Sequence, residues 1–146
     1  MRRRALIILI AIGMAVGGPQ PALACSCPPF RTTDAEGANA AVVFTGVVTR
    51  VSGNAFGFIC SSSADAVSVE FDVETVYKGA VGRTIVVNTA ASGASCGYTF
   101  EKGKRYTVFP RAQDRGALNA GLCQGTVEGT IDPGVYRLEE GRPPSG

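Results

Sequence analysis

Two cysteines, Cys25 and Cys27, follow directly on a segment with the layout of a secretory leader. Residues 1–24 begin with three arginines, continue with an apolar stretch and end in the small residues Ala22 and Ala24. Cleavage after Ala24 is the expected processing step, and it makes Cys25 the first residue of the mature chain. Disulfides from the first and third residues of the mature chain would tightly restrict how its amino terminus folds.

The leader is too short for a membrane anchor, because Gly17, Gly18 and Pro19 interrupt its apolar stretch before roughly 18 residues. Lipid attachment to Cys25 stays open, since a cysteine after small or apolar residues is also what a lipoprotein signal requires. Ala22, however, stands where leucine is usual in such signals. We therefore expect a secreted protein, attached to a membrane only if Cys25 is lipidated.

Charge and composition argue against several classes of function. Three of the 14 basic residues lie in the leader and all 12 acidic residues follow it, so the exported part is almost neutral. Nothing in it argues for binding to nucleic acid. Histidine, the commonest general base and metal ligand, is absent, and no other base stands out beside a nucleophile. We expect a monomer that is not an enzyme and has no cofactor of its own.

All five cysteines lie after the leader: Cys25, Cys27, Cys60, Cys96 and Cys123. In an oxidising compartment they predict disulfides with one thiol left over, whereas free thiols would suit a redox or copper-binding pair. Their spacing does not favour a structural zinc site. A disulfide from either terminal cysteine to Cys96 or Cys123 would close a loop of about 70 to 100 residues and stabilise the fold by roughly 4–5 kcal/mol. Cys60 is a buried apolar group, an exposed thiol or a link to another chain.

The rest of the chain reads as short strands separated by turn residues, which is typical of a small barrel. In the clearest strand, Val67, Val69 and Phe71 alternate with polar residues. Gly46 predicts a bulge or bend in the strand before it. Phe44, Phe71 and Tyr77 are expected in the core. The five predicted strands cover residues 41–51, 67–77, 84–88, 106–109 and 117–122.

Helical signals are sparse. Thr33 followed by Glu36 predicts a capping box that opens a short helix over residues 34–40. After a turn at residues 132–134, residues 135–138 predict an edge strand, and residues 141–146 predict a frayed tail.

Several segments together resemble the inhibitory domain of tissue inhibitors of metalloproteinases, which is similar to the wider netrin-like module. They are Cys25-Ser26-Cys27 with Pro29, residues 40–44, Val76-Tyr77-Lys78-Gly79, residues 94–98, Lys104-Arg105-Tyr106 and Gly121-Leu122-Cys123. The resemblance implies an all-β fold with a short helix, an OB-fold-like five-stranded Greek-key β-barrel of the netrin and metalloproteinase-inhibitor type. The barrel is expected over residues 25–128, with residues 129–146 as a partly disordered C-terminal extension.

The resemblance also implies a disulfide pairing and a function. Cys25 would pair with Cys96 and Cys27 with Cys123, which leaves Cys60 unpaired. The function implied is inhibition of zinc metalloendopeptidases, with the free amine and carbonyl of Cys25 chelating the zinc of the target. The chain departs from the family in lacking a third disulfide and a second, cysteine-rich domain.

Other residues near the amino terminus would serve this contact. Pro28 and Pro29 restrict the tip to an extended conformation, and Ser26 would point into the pocket beside the zinc. A second contact loop would comprise Ser92, Ala94, Ser95 and Cys96. The alternative is a secreted or lipid-anchored netrin-like module that serves binding or adhesion without inhibiting a protease.

Overall fold

The computed structural model describes residues 25, 27, 33–53 and 66–146. Within these ranges the chain is mostly β-structure with one short helix, α1 (Thr33–Asn39). The strands are β1 (Val43–Ser52), β2 (Ala66–Lys78), β3 (Thr84–Ala90), β4 (Arg105–Val108), β5 (Arg111–Ala112), β6 (Leu118–Asn119) and β7 (Val127–Glu128). Neither α1 nor any other helical segment in these ranges has the length and apolar character needed to cross a bilayer.

The seven strands form one sheet in the order β5-β6-β3-β2-β1-β4-β7. Neighbouring strands are antiparallel except β3 and β6, which pair in parallel at Asn88 and Asn119. Strands β4 and β5 lie towards opposite ends of this order, although only Phe109 and Pro110 separate them in the chain. The two ends of the sheet must therefore come close together, and the sheet curls into half a barrel.

Each of the five predicted strands is present, and two more accompany them. The fifth predicted strand is shorter than expected, because the chain turns at Gly121, whose carbonyl accepts a hydrogen bond from the Gln124 amide at 3.1 Å. The additional strands, β5 and β7, have two residues each, which is too short to leave an alternating pattern in the sequence.

The predicted bulge at Gly46 is confirmed. The register between β1 and β2 shifts between Thr45 and Gly46. A Cβ atom at Gly46 would lie 2.7 Å from the Asp72 carbonyl oxygen, so the two strands approach closely here. Beyond this bulge the alternation of β2 also changes, since the adjacent residues Val76 and Tyr77 are both buried, each in a different apolar cluster.

The main core lies inside the curl of the sheet. Phe44 and Phe71, both fully buried as predicted, meet edge to face with ring centroids 5.4 Å apart, and Phe100 packs on Phe71 in the same way. Tyr106, Ala120 and eight valines belong to the same cluster: Val48, Val67, Val69, Val73, Val76, Val81, Val87 and Val108.

Helix α1 begins one residue earlier than predicted. Thr33 is its first residue, and the Thr33 hydroxyl donates to the Val135 carbonyl at 2.9 Å. Glu36, the other residue of the predicted capping box, is buried, and its carboxylate faces Arg111. Both side chains therefore also contact residues that are distant in sequence.

Residues 129–146, predicted as a partly disordered extension, run beside α1 and β2. The predicted edge strand at residues 135–138 is wrong, because Pro133–Tyr136 forms a 3-10 turn. Tyr136 packs on Phe109 with ring centroids 5.0 Å apart. Further along, Arg142 exchanges backbone hydrogen bonds with Val76 at 2.8 and 2.9 Å, so the tail covers part of the β2 edge.

The ammonium group of Lys78 holds α1 against the sheet. It donates hydrogen bonds to the carbonyls of Gly37, Ala38 and Ala40 at 2.9, 2.9 and 2.7 Å. These carbonyls lie at the end of α1, where the helix itself supplies no donors. The Lys78-Gly79 pair noted in the sequence is therefore structural: the lysine caps the helix, and Gly79 turns the chain with φ at +77°.

Candidate functional site

The site begins at the two cysteines of the predicted mature amino terminus. Cys25 forms a disulfide with Cys96, and Cys27 forms one with Cys123, with Cα–Cα distances of 5.2 and 5.4 Å. This is the pairing that the resemblance implies. The two bonds span 71 and 96 residues of sequence. They attach the start of the predicted mature chain to two segments from its second half.

Those two segments are themselves bonded to each other. The Leu122 amide donates to the Cys96 carbonyl at 2.8 Å, and Gly97 forms an isolated antiparallel bridge with Gly121. Both disulfides therefore end on one piece of hydrogen-bonded backbone rather than on separate loops. The positions of residues 25 and 27 are fixed relative to a common support.

Residue 97, which follows Cys96 in this support, has no room for a side chain. A Cβ atom at residue 97 would overlap the Ala90 carbonyl, with the Ser92 carbonyl 3.0 Å away. Next in sequence, the Tyr98 amide donates to the Thr89 hydroxyl at 2.8 Å, which ties the segment to β3. Burial of the Tyr98 ring in the aromatic core raises the pKa of its phenol.

The predicted second contact loop is a tight turn directly attached to Cys25. Residues Gly93–Ser95 form a single 3-10 turn, and Cys96 closes it in the left-handed conformation with φ at 63°. The Ser92 carbonyl accepts from the amides of both Ser95 and Gly97, at 3.1 and 2.9 Å. Ala94 at the tip of the turn is exposed. The turn projects beside the first disulfide with its own backbone largely hydrogen-bonded.

The remaining predicted site residues fall outside the described part of the chain. Ser26 lies between the two described cysteines, and Pro28 and Pro29 lie in the segment that leads to α1. Cys60, expected to be unpaired, lies in residues 54–65 between β1 and β2. Their predicted roles stay predictions.

A polar groove of about 440 Å³ opens beside the first disulfide. Cys25, Cys96 and Cys123 line it, together with residues at the ends of β3 and β6. The polar side chains along it are Asn88, Thr89, Ser95, Arg111, Gln113, Asn119 and Gln124. Arg111 is the one charged residue among the described residues that line it. This groove has no signature in the sequence, because its walls come from four separate stretches.

Arg111 is held in the groove by Glu36 of α1. One guanidinium nitrogen of Arg111 lies 3.6 Å from the Glu36 carboxylate, with the side chains 36% and 7% exposed respectively. The carboxylate is thus covered by protein, whereas Arg111 is partly exposed and lines the groove. A buried carboxylate requires a cationic partner, so this pair couples α1 to the sheet beside the site.

Within the described residues, no group of three or more His, Cys, Asp and Glu side chains is arranged to hold a metal ion. The comparisons with known proteins add no name. No protein-family model matches this chain, and no curated protein matches it by sequence. The residues and their geometry must carry any functional assignment.

Proposed function

We propose that this chain is a secreted inhibitor of zinc metalloendopeptidases that acts through the mature amino terminus at Cys25. One observation carries the proposal: the first and third residues of the expected mature chain are both disulfide-bonded to one hydrogen-bonded support. A terminus that only began a strand would not need two covalent attachments within three residues.

The chemistry requires a free terminus at Cys25. A catalytic zinc ion has three protein ligands and one position for water, and it can accept a fifth ligand. The α-amine and carbonyl of one residue form a five-membered chelate that can displace this water. An α-amine with a pKa of about 7.7–8.0 loses its proton at little cost near neutral pH, so it can serve as a ligand there.

Rigidity before binding supports a tight contact. A short peptide loses conformational freedom when it enters a cleft, and each ordered residue costs free energy. Here the disulfides at Cys25 and Cys27 restrict the tip in advance, and the turn at Gly93–Ser95 stands beside it. Ser26, Pro28 and Pro29 would lie along the target's cleft, and the turn would form the second contact.

We further infer that the curled sheet is a barrel of the OB type, the netrin and inhibitor fold. Its strands follow the order β1-β2-β3-β6-β5, and β4 lies beside β1. If β4 and β5 count as one strand bent at Phe109 and Pro110, this order is a closed ring of five strands. The parallel pairing of β3 with β6 is consistent with that closure.

The first experiment establishes the terminus. Intact mass and amino-terminal sequencing of the protein exported by a secreting host should give a chain that starts at unmodified Cys25. An acylated or internal Cys25 would contradict the inhibitor proposal and favour the tethered binding module.

The second experiment tests chelation with a matched pair of proteins. One begins at Cys25, and the other carries a single additional alanine before it. Both should show the same unfolding midpoint and the same two disulfides by mass, because the support at Gly97 and Gly121 is unaffected. Only the unextended form should inhibit a panel of zinc endopeptidases. Equal inhibition by both forms would rule out chelation by the amine.

A further inference from the structure

The groove beside Cys25 is rich in hydrogen-bond donors. Two of its carboxamides have their oxygens occupied within the protein: Asn88 Oδ1 accepts from the Ser68 hydroxyl at 2.8 Å, and Gln124 Oε1 accepts from the Gly121 amide at 3.0 Å. The NH₂ group of each carboxamide can then donate to a ligand. A ligand that accepts hydrogen bonds suits these two groups.

Arg111 adds positive charge to these donors. A guanidinium carries five N–H groups, and the interaction recorded for Arg111 is the 3.6 Å ion pair with Glu36, which leaves most of these donors for other partners. Glu36 is 7% exposed and is not among the residues that line the groove, so it pairs with the arginine without filling the groove. The ligand that suits a fixed guanidinium with flanking amide donors is a carboxylate, which Arg can bind with two parallel hydrogen bonds.

The location of the groove indicates where the carboxylate comes from. Cys25 and Arg111 line the same groove, so a protein that engages the amine of Cys25 would lie beside the groove that contains Arg111. The volume of about 440 Å³ is within the range of ligand sites and accepts a side chain with part of its backbone.

We propose that this groove binds an acidic side chain, an aspartate or glutamate, on the rim of the cleft of the target protease. The identity of the partner rests on the proposed function, whereas the affinity of the groove for a carboxylate does not. The groove selects among zinc proteases: those with an acid at this point of the rim bind more tightly than those with an amide or a base.

The direct test uses the whole mature protein and a pair of capped peptides, acetyl-Gly-Gly-Glu-Gly-Gly-amide and the same peptide with glutamine. In nitrogen-15 NMR titrations the acidic peptide should shift the side-chain signals of Arg111, Asn88 and Gln124. It should bind at least roughly tenfold more tightly than the glutamine peptide, as expected for a charge-assisted hydrogen bond. Equal shifts with both peptides, or shifts elsewhere only, would overturn the proposal.

Variants separate recognition from folding. Arg111→Gln should abolish the preference for the acidic peptide, but it also removes the partner of buried Glu36. Gln113→Glu avoids this problem, because Gln113 is exposed and its replacement leaves the ion pair between Arg111 and Glu36 in place. It places a negative charge in the groove and should weaken acidic-peptide binding roughly tenfold or more. The matched control, Thr130→Glu, adds the same charge at an exposed residue outside the groove and should leave binding unchanged.

The failure of this proposal can be told apart from failure of the inhibitor function. The form with an additional alanine before Cys25 should bind the acidic peptide as the native form does. If the protein binds the acidic peptide but inhibits no zinc protease, the groove still binds a carboxylate and only the assignment of a protease as its partner is wrong. If Gln113→Glu leaves inhibition unchanged and the protein shows no preference for the acidic peptide, the groove proposal is wrong and the inhibitor proposal is unaffected.

Discussion

The two ends of the segment before β1 are held in different ways. At its start, Cys25 is half-buried and Cys27 exposed, and disulfides attach both to the support. At its far end, α1 is held by three hydrogen bonds from Lys78 and by packing next to a small apolar cluster around Phe109. One attachment is covalent at the surface, and the other is non-covalent and partly buried.

The difference is consistent with the proposed role of the amino terminus as a docking tip. Residues that must contact a partner cannot also be buried in their own core, so apolar burial cannot fix them. A disulfide fixes a position without burial, mainly by restricting the unfolded chain. Helix α1 has no such conflict, and the tail supplies Tyr136 and Leu138 to pack beside it. The chain therefore has covalent attachments where exposure is needed and packing where it is not.

The largest effect should come from breaking the covalent end. The double variant Cys27→Ser, Cys123→Ser opens a loop of 96 residues and should lower the free energy of unfolding by about 4 kcal/mol. Urea unfolding followed by circular dichroism measures this value. Amides of α1 should still exchange at the same rates relative to amides of the sheet, because α1 is attached separately from the tip. A loss below about 1 kcal/mol would show that the tip is held by other contacts.

The support beneath the disulfides should be nearly as sensitive. Gly97→Ala places a methyl group against the Ala90 carbonyl and should cost about 2–3 kcal/mol, because backbone must move to admit it. The control is Gly93→Ala in the neighbouring turn, where a Cβ atom meets nothing within 4 Å. That change should stay within about 0.5 kcal/mol in the same urea experiment. Equal effects would contradict the close approach of residue 97 to residue 90.

The non-covalent end can be broken at Lys78. Lys78→Met keeps the length of the side chain but removes three hydrogen bonds to the end of α1, with an expected cost of about 2 kcal/mol. Hydrogen exchange at the amides of Ala40 and Ala41 should accelerate. Lys102→Met, at an exposed turn, is the matched control and should be neutral. An unchanged exchange rate at α1 in Lys78→Met would mean that packing alone holds the helix.

The smallest effect concerns a surface pair outside both attachments. Arg105 donates to both carboxylate oxygens of Glu74, at 2.6 and 2.8 Å, and these hydrogen bonds lower the pKa of Glu74 below its usual 4.5. A carboxyl whose pKa is lower in the folded state stabilises the fold above its unfolded pKa. This contribution is lost as the pH falls below about 4.5 and through the lowered value.

Because both side chains are substantially exposed, the contribution at neutral pH should be the smallest of the predicted effects. The measurement compares the native protein with Arg105→Gln in urea at pH 7 and at pH 3. The difference between the two proteins should shrink at pH 3, because protonation of Glu74 weakens its pairing with Arg105. A difference that is independent of pH would contradict the assigned cause of the lowered pKa.

Local patterns predicted the elements whose signal repeats along the chain. The alternation from Val67 to Phe71 identified β2, and Gly46 identified the bulge. Strands β5 and β7 were missed because two residues cannot show a period. The edge strand predicted at residues 135–138 was wrong, because Pro133–Tyr136 forms a 3-10 turn. Thr33 and Glu36 of the predicted capping box have partners distant in sequence, Val135 and Arg111, which a local pattern does not show.

For the candidate site, the sequence by itself determined the cysteines and their position behind a leader, because these signals are local and chemically specific. The disulfide partners came through a resemblance rather than from spacing. Only the tertiary structure decided that Cys96 and Cys123 stand on one hydrogen-bonded support, and that Arg111 enters a groove of amide donors beside Cys25. Those features join stretches separated by tens of residues, and the curl of the sheet alone brings them together.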